Sequence, residues 1–211
     1  FHFNSYRNFK HYYLGCVRIH WKHLFPQTFS YNRFVEVMPR SFVALTMFLR
    51  LACFGECTGI SFVDSTCIPV IHNKRQFNMK VFKDIAAKGK STMGWYVGFK
   101  LHLLCNEKGE LINFVLTRAN VDDRNEDVID TLTDNVFGKL YADKGYISQS
   151  LFGHLWDDGI HIVTGLRSNM KQRLMPFDDK MMLRKRSIIE SINDMLKNVA
   201  QLGAARPLPP S

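Results

Sequence analysis

Three acids stand where ordinary core packing would not put them. Asp64 closes the apolar run Ile60-Ser-Phe-Val, Asp143 closes Gly138-Lys-Leu-Tyr-Ala, and Glu190 follows Arg184-Lys185-Arg186 in the last helical stretch. An aspartate at the carboxyl end of a buried strand loses hydration and meets the charge of its neighbours, a cost that a cation offsets. Oxygen-only donors at an open site suit Mg²⁺ or Mn²⁺ rather than zinc. Two such ions about 4 Å apart activate a water or a 3′-hydroxyl and stabilise the leaving oxygen of an in-line attack on a phosphodiester, with no nucleotide cofactor. At ~100° per residue Arg186 and Lys197 fall within ~40° of Glu190 around a regular helix, so one face carries a metal ligand and two phosphate contacts.

Each acid also has a plainer reading. Asp64, followed by Ser65-Thr66, has the form of a turn former or helix cap, and Asp143 before Lys144-Gly145 that of a turn. Glu190 four residues after Arg186 makes an i,i+4 pair worth a few tenths of a kcal/mol. Asp122-Asp123 offers an auxiliary carboxylate, but after Asn120 and before an amphipathic segment it reads first as a helix cap. Singly none of the three acids decides the matter; their joint placement between two basic clusters favours metal-dependent phosphoryl chemistry.

The elements that must gather these acids follow from periodicity. Residues 1–57 are aromatic-rich and helical in pattern, with Ser30 as a cap, Pro39 as a divider and Gly55 as a stop. Ile60 to Asp64 reads as a short strand, Trp95 to Cys105 as a full strand, and Leu111 to Thr117 as its hairpin partner across Glu107-Lys108-Gly109-Glu110. A helix with Val128, Ile129 and Leu132 on its buried stripe comes next. A strand over Val136 to Ala142, a helix over Ser148 to Trp156 and a strand over Gly159 to Thr164 follow. One long helix from Met181 to Gln201 then buries Ile188, Ile192, Met195 and Val199. Antiparallel strands followed by βαβ crossovers give an α/β fold, an RNase H-like mixed sheet flanked by helices, with the N-terminal helical region appended. The expected division is a partial helical region over 1–57, a catalytic domain over 58–201, and a disordered proline-rich tail over 202–211.

Composition narrows the classes. With 211 residues, 46% apolar and 13% aromatic, the chain can bury a sizeable core, so disorder over most of it is excluded. Arg40 and Arg50 interrupt the longest apolar stretches, and no run approaches the ~20 residues of a membrane span. The start, Phe1-His-Phe-Asn4, reads as the middle of a longer chain, and five irregularly spaced cysteines read as reduced thiols in a cytoplasm. Net charge is +9, and it is segregated: seven Lys/Arg against Asp84 from Lys74 to Lys100, seven against two acids from Arg167 to Arg186, and eight acids against three bases between Glu107 and Asp134. Such segregation suits a groove that follows a phosphate backbone. Lys74 and Arg75, with Phe77 and Phe82 nearby, could track phosphates and stack bases, or form a solvated loop. Lys144 and Tyr146, just past Asp143, stand in place to touch DNA near the scissile bond, or Tyr146 simply packs.

Several strings together resemble a known family: Cys57-Thr-Gly-Ile-Ser-Phe-Val-Asp64-Ser-Thr, His72-Asn-Lys-Arg75, Gly94-Trp-Tyr-Val-Gly-Phe-Lys-Leu-His102, Asn120-Val-Asp-Asp-Arg124, Tyr141-Ala-Asp-Lys-Gly-Tyr146 and Leu183-Arg-Lys-Arg-Ser-Ile-Ile-Glu190. They are similar to bacterial insertion-sequence transposases of the DDE class, and most similar to the IS982 family, a relative of the IS4 group. The resemblance runs from about Asn4 to Gln201. It implies a metal-binding triad of Asp64, Asp143 and Glu190, and it sets Arg186 and Lys197 on an R-x3-E-x6-K signature whose opening Tyr is Leu183 here. Past Gln201 the sequence departs from the family pattern, which reads as a truncated or frameshifted copy. The implied activity is cleavage of transposon-end DNA and joining of the 3′-OH to target DNA with two Mg²⁺ (or Mn²⁺) ions. Its partners are double-stranded terminal repeats and target DNA, its paired ends favour a homodimer, and its location is the bacterial cytoplasm, at the nucleoid. A nuclease that cuts without joining and an inactive DNA-binding remnant are the alternatives.

Overall fold

The structure is a computed structural model that describes residues 6, 8–71, 77, 80, 82–92, 94–165, 174–200 and 202. Lys74, Arg75 and the proline-rich ending beyond Leu202 lie outside these. The chain forms two compact units that divide between Phe54 and Gly55, with Val199 and Ala200 belonging to the first.

The N-terminal unit is helical. A short α1 (Phe9–Tyr12) runs into a π-helical turn over Tyr13–His20, and α2 (Tyr31–Val37) and α3 (Phe42–Phe48) are separated by a 3₁₀ turn over Met38–Ser41. Ser30 caps α2 by accepting from the Arg33 amide, and Pro39 sits in the dividing turn, as the sequence predicts. Tyr13, Cys16 and Val17 are buried, whereas Phe42, Leu45 and Phe48 of the apolar stripe on α3 are exposed.

The second unit is one six-stranded mixed sheet: β1 (Ile60–Ile71), β2 (Ala87–Ser91), β3 (Gly94–Asn106), β4 (Leu111–Arg118), β5 (Gly138–Ala142) and β6 (Ile160–Thr164). The order is β2-β3-β1-β5-β6, with β4 sharing the outer edge of β3 with β2. β1 pairs antiparallel with β3 and parallel with β5, and β5 pairs parallel with β6. Helices α4 (Glu126–Leu132), α5 (Gln149–Asp157), α6 (Phe177–Lys185) and α7 (Ser187–Asp194) complete it. This is the mixed, helix-flanked, RNase H-like arrangement expected from the sequence. Alternation along the strands feeds two cores. Val63, Leu104 and Leu140 join one with α4 and α5, while Phe62, Leu103 and Tyr141 join the other with Ile189 of α7.

Four details differ from the sequence reading. β1 does not stop at Asp64 but continues to Ile71, because the length of β3 gives it a partner throughout. Pro69 is tolerated there because parallel pairing with β5 ended at Phe62, so β1 is locally an edge, and the register shifts between Pro69 and Ile71. β2, Ala-Lys-Gly-Lys-Ser, reads as a charged loop and becomes a strand only by pairing with β3. The cap of α4 is Asn125, whose side chain accepts from the Val128 amide, and not the Asn120–Asp123 stretch. Finally, the long terminal helix is broken. α6 ends at Lys185, Arg186 forms a turn, α7 ends at Asp194 and a π-helical stretch covers Met195–Val199. The buried positions are consequently Ile189 and Asn193, while Met195 and Val199 of the expected stripe are exposed.

β1 and β5 begin at a pinch. Gly138 has φ +84°, and a Cβ there would lie 2.4 Å from the Gly59 carbonyl oxygen, which accepts from the Lys139 amide at 2.8 Å. Among the described residues no helix is long and apolar enough to cross a membrane.

Candidate active site

The parallel register fixes where the two aspartates stand. Ile60, Ser61 and Phe62 pair with Lys139, Leu140 and Tyr141, and two more residues along each strand bring Asp64 opposite Asp143. Neighbouring strands lie about 4.8 Å apart, and the even step returns both side chains to the face of Phe62 and Tyr141. Asp64 is in mid-strand, paired with Leu103 of β3 on one side, but on the other side its neighbour strand has just ended. It is therefore partly buried and still reachable, with its side chain 23% exposed. The turn and cap readings of Asp64 fall with this position. Asp143 continues in extended conformation before a 3₁₀ turn over Lys144–Tyr146, and its carboxylate does not cap that turn. Its side chain is exposed at the carboxyl edge of the sheet.

Glu190 joins from α7 through Arg186. The Arg186 guanidinium lies 2.5 Å from Glu190 Oε1 and 3.9 Å from Asp64 Oδ1, with only 18% of its side chain exposed. It bridges the two acids from the break between α6 and α7. Asn193, two helical turns on and buried, donates from Nδ2 to Asp64 Oδ2 at 2.8 Å. Burial pushes the Asp64 carboxyl above its ordinary value; Arg186, the Ser65 amide and Asn193 pull it back, and the charge of Asp143 pushes it up further. The two aspartates thus share one electrostatic neighbourhood. The three carboxylates do not close to within 4.8 Å of one another; among the described residues only Asp130, His154 and Asp158, on α4, α5 and the turn after α5, do so.

Of the residues expected to hold DNA, Lys144 is exposed beside Asp143 and its aliphatic stem lies over Gly165 at the end of β6. Lys197 is exposed, but it sits in the π-helical stretch, so the wheel that aligned it with Glu190 does not apply. Arg186 is engaged with carboxylates rather than turned to solvent. Tyr146 is corrected outright: it is 3% exposed and packs in the core under Asp143, where no DNA can touch it. Burial raises its hydroxyl well above the ordinary phenol value, and Asp123, Asp64 and Asp143 add to the rise.

Sequence reasoning missed two supports. Asn193 is one; its signal was its place three residues after Glu190 and seven after Arg186 on the same helical stretch. Asp179 is the other: buried on α6, it accepts from Tyr141 Oη at 2.8 Å and Lys139 Nζ at 2.7 Å, tying to β5 the helix that leads into Arg186. On the opposite face of the sheet Asp123 pairs with Lys100 at 3.0 Å and lies 3.9 Å from His102 Nδ1, while His102 Nε2 is 3.0 Å from Thr117 Oγ1. Burial lowers the His102 imidazole to about 4, Lys100 adding to the fall and Asp123 opposing it.

A family model described as a transposase DDE domain matches residues 54–208. The chain belongs to the DDE transposase domain family. The match takes in the whole sheet and helices α4 to α7. No curated protein sequence matches this DDE domain. Among solved structures, a piggyBac transposase synaptic complex with hairpin DNA is similar at a TM-score of 0.37 and 14% identity, over 57% of this chain and 27% of that one. The DDE chain therefore spans about a quarter of that transposase, a likeness too slight for residue-by-residue transfer.

Proposed function

We propose that this DDE domain is that of a bacterial insertion-sequence transposase of the IS982 family, which cleaves transposon-end DNA and joins the freed 3′-hydroxyl to target DNA. The observation that carries the reading is the register that sets Asp64, in the middle of β1, opposite Asp143 just past the carboxyl end of β5, with Glu190 linked to Asp64 through Arg186. The donor set fits hard divalent cations. It is all oxygen, Asp64 is disfavoured as an anion by burial and by Asp143, and Asn193 Oδ1 is a further buried acceptor with no hydrogen-bond partner among the described residues. Two Mg²⁺ (or Mn²⁺) ions held by Asp64, Asp143 and Glu190 would supply the Lewis acidity that activates a water or 3′-hydroxyl and stabilises the leaving oxygen.

The protein's own residues do the rest. Asn193 holds Asp64 Oδ2 and fixes the carboxylate's direction. Arg186 balances Asp64 and Glu190 in the resting site and is close enough to turn to a phosphate. Lys144, Lys197 and the Lys74-Arg75 segment bind phosphates along the DNA, and Tyr146 supports Asp143 from beneath. The partners are double-stranded terminal repeats and target DNA, handled by a homodimer that pairs two ends at the nucleoid of the cytoplasm. An assay with labelled end-sequence DNA and Mg²⁺ tests this. Joined product is expected; cleavage alone indicates a nuclease, and a gel shift without cleavage an inactive remnant. Cleavage that survives Asp143→Asn removes the triad from the reading.

A further inference from the structure

The β2–β3 hairpin carries an arrangement that the triad does not use. Lys90 pairs across the strands with Trp95, and Lys88 lies diagonally from it. The Lys88 and Lys90 ammonium groups stand 5.1 and 5.9 Å from the centre of the Trp95 ring, and the indole is 55% exposed. The hairpin's other face is fixed. Tyr96 is buried, and Gly89, its pairing partner, lies so close to the chain after β4 that a Cβ would come 2.3 Å from the Ala119 carbonyl oxygen. A strand pressed down on one side by a glycine presents its other side rigidly, so the two lysines and the indole are held outward as a set.

From this we propose that Lys88, Lys90 and Trp95 form a DNA-binding surface, with phosphates on the two ammonium groups and the indole against a base or sugar of the same strand. This combination of cations and an aromatic platform suits a polynucleotide. Position supports the choice. Trp95 is an even number of residues from Leu103, the pairing partner of Asp64, and so shares its face of β3. The separation along the strand is about 27 Å at ~3.4 Å per residue, within one ~34 Å turn of duplex from the acids.

The inference rests on the transposase reading, and the test separates the two. DNA affinity of the full chain is measured by anisotropy of labelled duplex over a salt series, for the wild type, Lys88→Gln/Lys90→Gln and Trp95→Ala, with far-UV circular dichroism confirming that each is folded. The lysine pair is expected to lower affinity about 10-fold and to flatten the log–log salt slope by about 1.8, for two phosphates. Trp95→Ala is expected to weaken binding about 10-fold with the slope unchanged. Wild-type binding with unaltered affinity and slope in the folded variants overturns the hairpin surface alone; a wild type that does not bind DNA overturns the transposase reading with it.

Discussion

The two faces of the central sheet handle charge in opposite ways, although the same two strands supply both. On one face Asp64 is met by Arg186 of the α6–α7 turn and Asn193 of α7, and its partner Glu190 remains 54% exposed. One residue along each strand, Ser65 faces His102 on the other side, where Lys100 and a partly exposed Asp123 pair beside a fully buried His102. The first set keeps acids together at an edge that solvent and ligands reach. The second pairs its charges internally and holds β3, β4 and the loop before α4 in place. The difference teaches that the site's unfavourable charge is tolerated because the opposite face contributes stability without being asked to react.

The largest test of that contrast is chemical. Asp64→Asn or Asp143→Asn is expected to lower cleavage of labelled end DNA on the order of 10³-fold while the fold persists, whereas charge changes beneath the sheet act on stability. Next, Lys100→Met takes the cation from a partly exposed Asp123 and the donor from the Val121 carbonyl, and should cost about 2 kcal/mol, read as a fall in Tm of roughly 4 to 8 °C. Third, His102 gives a pH signature. Its folded value near 4 lies below the ordinary 6.5, so the unfolded chain takes up the proton first. Stability is full above about pH 6.5 and falls as pH drops towards 4, by on the order of 3 kcal/mol, and His102→Gln should abolish that slope in urea titrations. The smallest effect has the opposite sign. Because the Asp64 carboxyl is raised, folding disfavours its anion and stability falls as pH rises past the ordinary carboxylate value. Asp64→Asn should therefore raise Tm at neutral pH, by up to a few degrees, and an unchanged or lower Tm would show that the faces do not differ in this way.

The fold was legible in the sequence wherever one residue's environment was set locally. The alternation of β3 and β4 and the Val128-Ile129-Leu132 stripe needed no distant partner to be recognised. β2 was hidden because Ala-Lys-Gly-Lys-Ser becomes a strand only against β3, and β1 looked short because Asp64-Ser65-Thr66 carries turn chemistry that a full-length neighbour overrides. The acids could be singled out from their positions after apolar runs. The bridging position of Arg186 and the support of Asn193 and Asp179 could not, since they depend on a helix break at Arg186 that the charge pattern Arg184-Lys185-Arg186 does not announce. For Tyr146 the sequence left contact with DNA and packing both open, and the 3₁₀ turn after Asp143 directs it inward.

The close approach of Gly59 and Gly138 has a consequence at the far end of the strands it joins. A methyl group at position 138 would force β5 away from β1 or slide it, and a slip of one step would send Asp143 to the reverse side of the sheet from Asp64. Alignment of the two carboxylates is thus keyed at the strands' origin, several residues before either acid is reached.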